Sequence, residues 1–174
     1  VLRTGKIVAS SLFIAFGVIL PVVFHFFGAM GPVFLPMHIP VLIAGLFLGG
    51  FAGLVVGVLT PFLSSLLTGM PPLMPTLPVM AVELAVYGAI GGCLHKIWRW
   101  NLYVSLATAM VAGRLAAAMM VYVLANMLHI TVSPVAYVTG AFVTGLPGIV
   151  IQLAVVPLLV KRLQAVFVKY ACKE

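Results

Sequence analysis

Apolar residues run along this chain in long blocks, separated by short segments rich in glycine, proline or positive charge. The first block, Ile7 to Phe27, has the length of one helical bilayer crossing, about 20 residues. It is too long for the core of a signal peptide and no small-residue cleavage site follows it, so it reads as a first span rather than a leader. A Gly- and Pro-rich segment, Gly28 to Pro36, comes next, and then an apolar stretch from Ile39 to Leu67. As one helix that stretch would reach about 43 Å at 1.5 Å per residue, well past a hydrocarbon core of about 30 Å. Gly49, Gly50, Gly53 and Pro61 punctuate it. We therefore expect two short helices, 39–49 and 53–67, joined by a tight turn. A re-entrant hairpin over the same residues is the alternative. Beyond a second loop, 68–78, the pattern predicts spans over 79–95, 102–128 and 135–160. Residues 161–174, with Phe167 and Tyr170 among lysines, suit an interfacial tail. The fold class expected is an all-α integral membrane protein, a single transmembrane domain of about six helices over 1–174.

Composition narrows the function classes. The chain has 174 residues, 64% hydrophobic and 6% charged, against roughly 25% charged in a soluble domain. Its solvent is therefore mostly lipid, and six spans leave no room for a soluble domain. The sequence has no GxxxxGK[ST] loop to cradle phosphates and no CxxC or HExxH spacing. Cys93 and Cys172 are far apart on the side expected to be cytoplasmic, where a disulfide is not expected. The net charge of +7 would suggest nucleic acid on a soluble protein. Here the cations sit at helix ends, and membrane orientation explains them better than a nucleic-acid partner.

That orientation follows from their positions. Arg3 and Lys6 precede the first span. Lys96 and Arg99 lie between the fourth and fifth, and Lys161, Arg162, Lys169 and Lys173 follow the sixth. The loops 28–38, 68–78 and 129–134 carry no Lys or Arg. Lys and Arg mark the cytoplasmic side, so six spans place all these cations, and both ends of the chain, inside. A single span at 39–67 would divide the clusters between the two sides; a re-entrant hairpin preserves the parity.

Glu83 and Arg114 are the charges that orientation does not explain. A charge at membrane depth costs at least about 3 kcal/mol, so such residues face protein or a water-filled cavity. Glu83 lies twelve residues before His95 and Arg114 twelve after Leu102, which sets both about 18 Å above the inner boundary. Adjacent antiparallel helices can bring them together. Two compatible readings follow: a buried ion pair that fixes packing, and a polar site open to the outer side in which Arg114 receives an anionic group. If Glu83 neutralises Arg114, a neutral ring is admitted as well. The candidate substrate-binding residues are Arg114, Glu83, Tyr87, Asn126, Thr139 and Thr144, with Phe34 and His38 from the first outer loop. Gly140, Gly145, Pro147 and Gly148 predict a kink in the last span, with the two threonines above it and Gln152 below.

The outer loops are uncharged but rich in Phe, Met and Pro, as a lid over a largely apolar ligand would be, or as segments packed on the helix tops. His25, His38 and His129 come from different segments without ligand spacing and read as interfacial histidines; no metal site is expected. Ser11 and Ala15, four residues apart in the first span, can face a partner subunit.

The chain resembles the S components, the substrate-binding membrane subunits, of energy-coupling factor (ECF) vitamin transporters. The residues that carry the resemblance are Phe34 to Gly45 (FLPMHIPVLIAG), then Gly49, Gly53 and Gly57, then Ser64 to Pro72 (SSLLTGMPP) and Glu83 to Gly92 (ELAVYGAIGG). It is similar to the branch that includes riboflavin, folate and pantothenate subunits. The resemblance implies a non-enzymatic subunit in a prokaryotic plasma membrane that captures a vitamin or related molecule in its outer half. It also implies partners: a transmembrane coupling subunit and two ABC ATPases that use ATP outside this chain. The family's AxxxA contact motif is represented here by Ser11 and Ala15 as SxxxA. Cobalt and nickel uptake subunits use a Met-His pair at a free N-terminus; Met37-His38 is internal, and a metal-uptake subunit stands as an alternative. A stand-alone or proton-coupled carrier or channel is another.

Overall fold

The structure, a computed structural model, describes residues 3–26, 34–128 and 134–171. Loop residues 27–33, His129 with the rest of 129–133, and Cys172 and Lys173 lie outside the described residues, as do the side chains of His25, Phe167, Lys169 and Tyr170. The described chain is helical: α1 (Arg3–Phe26), α2 (His38–Leu48), α3 (Gly50–Thr68), α4 (Thr76–Lys96), α5 (Leu102–Leu128) and α6 (Pro134–Ala171). Five helices are long and apolar enough to cross a membrane, and α2 is the short exception. Helices suit lipid because they satisfy their own backbone hydrogen bonds.

The stretch expected to break near 49–53 divides at one residue. Gly49 takes φ 111°, a conformation that L side chains rarely adopt, and the chain reverses there between α2 and α3. With 11 residues, α2 reaches only about 16 Å. It starts at the depth of the middle of α4, because its first residue, His38, lies beside Glu83. All its residues but Ile39 are buried, as expected of a helix that is apolar all round. It is the axis of the bundle, touching each of the other five helices among the described residues. The main core gathers Val41, Leu42, Leu46 and Phe47 of α2 with Leu84 and Tyr87 of α4, Leu106 and Met110 of α5, and Val156 and Val160 of α6.

Helix α3 is two-faced. Gly50, Gly53, Gly57, Thr60 and Ser64 are buried, while Phe51, Leu54, Val58, Phe62 and Leu66 are exposed for lipid. The small face admits α4 at backbone distance. A Cβ on Gly53 would stand 2.6 Å from the Gly88 carbonyl carbon, and one on Gly57 would stand 2.6 Å from the Leu84 carbonyl carbon. Such approach of backbones is how helices associate where no hydrophobic drive exists. At the C-terminal end of α3, Ser64 Oγ donates to the Met70 carbonyl at 2.7 Å and Ser65 Oγ to that of Pro71 at 2.8 Å, tying down the next loop.

Helices α4 and α5 are joined by 97–101, where Asn101 Oδ1 accepts from the Tyr103 amide at 3.0 Å and caps α5. Helix α6 runs 38 residues to Ala171 with Pro147 and Pro157 inside it. No break marks residue 160, where the sequence separates span from tail.

Candidate functional site

Glu83 and Tyr87, one turn apart on α4, point the same way. Tyr87 Oη donates to Glu83 Oε1 at 3.0 Å. From α5, Arg114 Nη1 reaches the same oxygen at 3.0 Å. The equal depths read from sequence thus correspond to a direct ion pair. Gly113 makes the approach possible: a Cβ there would overlap the Tyr87 ring, so only glycine lets α5 lie this close to α4.

His38 is the third neighbour. Its Nε2 stands 3.7 Å from Glu83 Oε1, beyond ordinary hydrogen-bond length. Its ring meets that of Tyr87 edge-on, with centroids 5.4 Å apart. His38 is 2% exposed, Glu83 5% and Tyr87 1%. The interfacial reading of His38 is therefore corrected. The segment ahead of α2 dips into the bundle, with Pro36 and Met37 buried, and carries His38 down to the ion pair.

The pairing accounts for how two charges persist at this depth. Each compensates the other, and loss of either would leave a buried charge alone. It does not engage every polar atom. Arg114 Nε and Nη2 and both ring nitrogens of His38 are buried without a hydrogen-bond partner among the described residues. Nη2 faces α6, where a Cβ on Gly145 would stand 3.2 Å from it and 3.1 Å from Leu35 Cδ1. Lower on α6, Gln152 is fully buried with neither amide atom partnered among the described residues.

Asn126, Thr144 and Phe34 have their partners elsewhere. Thr144 is exposed and donates to the Gly140 carbonyl at 2.6 Å; its neighbour Gly145 is the residue that meets Arg114. Thr139 is exposed on the same helix. Asn126 is exposed and donates to the Tyr122 carbonyl at 2.9 Å. Phe34 is half-buried, its ring 5.7 Å from that of Phe24. Ser11 and Ala15, both exposed on α1, line an apolar groove with Ile14, Val18, Ile19, Leu63 and Leu67. Among the described residues no three His, Cys, Asp or Glu side chains are grouped to hold a metal ion. Sequence reading passed over Leu35 and gave Gly145 only a bending role. Nothing in the sequence marks which glycine faces a guanidinium on another helix.

A family model described as the substrate-specific component of ECF transporters matches residues 5–160. No curated protein and no solved structure matches the chain.

Proposed function

The chain belongs to the family of substrate-specific components of ECF transporters, and from that premise we propose that it is the receptor that captures a vitamin-like small molecule for uptake. The family match over residues 5–160 carries this reading. The buried cluster of His38, Glu83, Tyr87 and Arg114 supports a site within the bundle, because polar groups at membrane depth characteristically serve binding or transport. Lys and Arg concentrated at 3–6, 96–99 and 161–173 support cytoplasmic ends, and hence a site entered from outside. The chain has no phosphate-cradling motif. In this reading energy comes from two partner ATPases through a transmembrane coupling subunit, in the plasma membrane of a prokaryote. The α1 groove lined by Ser11 and Ala15 is an apolar face suited to that coupling subunit.

The test is binding by the isolated chain. In detergent, one member of a vitamin panel is expected to raise the melting temperature, and the same compound should co-purify in mass spectrometry of the native protein. Transport into vesicles by the chain alone, with no ATPase present, would instead establish a stand-alone carrier. Heat release on titration with cobalt or nickel, with none from any vitamin, would establish metal uptake.

A further inference from the structure

Arg114 has two edges with which it can hold a planar acceptor pair, one made by Nη1 and Nη2 and one by Nε and Nη2. Glu83 engages one nitrogen of Arg114, Nη1, at 3.0 Å. The Nε–Nη2 edge is left without an acceptor among the described residues, although both atoms are buried. Buried donors without partners are destabilising, and those of a charged group most of all. The bundle maintains this arrangement through two features. The residue of α6 opposite Nη2 is Gly145, where even a methyl group would crowd both the guanidinium and Leu35. Leu35, whose Cδ1 flanks that same point, is held at φ 48°, a conformation leucine rarely adopts. Glu83, steadied by Tyr87, fixes the guanidinium from its other side.

We propose that the Nε–Nη2 edge of Arg114 is a carboxylate subsite, so that the ligand is an organic acid whose carboxylate docks side-on against Arg114 over Gly145, displacing the tip of Leu35. The assignment rests on the receptor reading and adds the chemical class of the ligand. Because Glu83 engages only Nη1, the ion pair does not use up the arginine.

The probes are benzoate and benzamide, which differ in the charge of one planar group and do not depend on knowing the vitamin. With the full chain in detergent, millimolar benzoate is expected to raise the melting temperature and benzamide to leave it unchanged. Gly145→Ala should weaken the benzoate response about tenfold or more in concentration, the scale of one lost charge-assisted bond. Alanine is a better helix former than glycine, so that variant keeps its helix. Arg114→Gln combined with Glu83→Gln removes both charges together and should abolish the response. Equal responses to benzoate and benzamide, no response to benzoate, or a benzoate response untouched by Gly145→Ala and by the double variant would each overturn the carboxylate subsite. The receptor reading would survive these outcomes if the vitamin panel yields a ligand, and would fall on the panel alone.

Discussion

Helices α2, α3 and α4 meet backbone to backbone, whereas Gly140 and Gly145 of α6 face open space and the ends of side chains. In the first region a Cβ on Gly88 would stand 2.8 Å from Gly53 Cα, and one on Gly92 would stand 2.6 Å from the Gly45 carbonyl oxygen. In the second, Gly140 has nothing within 4 Å and Gly145 looks onto Leu35 and Arg114. Backbone contacts have no rotamers with which to adjust, while side-chain ends do. The polar cluster straddles the difference. Glu83, Tyr87 and His38 stand on the rigid region, and Arg114 reaches them from α5, on the border with α6. The acceptor is thus held fixed, and the guanidinium has its adjustable neighbour on the far side.

The largest effect is expected from filling the rigid region. Gly88→Val would drive a branched side chain into the Gly53 backbone, and overpacking that nothing can relieve costs about 3 kcal/mol or more. The expected outcome is loss of monodisperse protein on size exclusion in detergent; a normal elution profile would show that α3 and α4 can part without harm. Arg114→Ala comes next. It strands Glu83 as a buried charge, a loss of about 3 kcal/mol. Its signature is partial recovery of the melting temperature on adding Glu83→Gln, and a double variant no better than the single would mean the pair is not coupled. The smallest effect is expected at Gly140→Ala, where there is space for a methyl group and the helix gains up to about 1 kcal/mol in propensity. A melting temperature equal to or slightly above the wild type is expected; a large drop would erase the contrast between the two regions.

Much of this was legible in the chain, and what was hidden has a physical reason. Hydropathy sets helix number, and glycine marks where a 29-residue stretch must break, as it does at Gly49. Counting from the charged ends places Glu83 and Arg114 at one depth because the rise per residue of a helix is fixed. His38 escaped that method. Depth can be counted only from a known boundary, and α2 begins inside the bundle rather than at its surface. The warning was its length, since 11 residues cannot cross a core of about 30 Å. The roles of Leu35 and Gly145 were hidden for a different reason. They depend on which faces of α5 and α6 meet, and small residues line several faces of both helices.

The brevity of α2 also bears on how the chain enters the membrane during synthesis. A segment of 11 residues, however apolar, is below the length that inserts by itself, and Gly49 joins it directly to the 19 residues of α3. The two therefore partition into lipid as one hairpin, with α2 carried in by the helix that follows it. A reporter fused after Gly49 should show mixed topology and one fused after Gly69 a single topology; uniform placement at both sites would mean that α2 enters unaided. The bundle's axis is then the one helix that does not insert on its own.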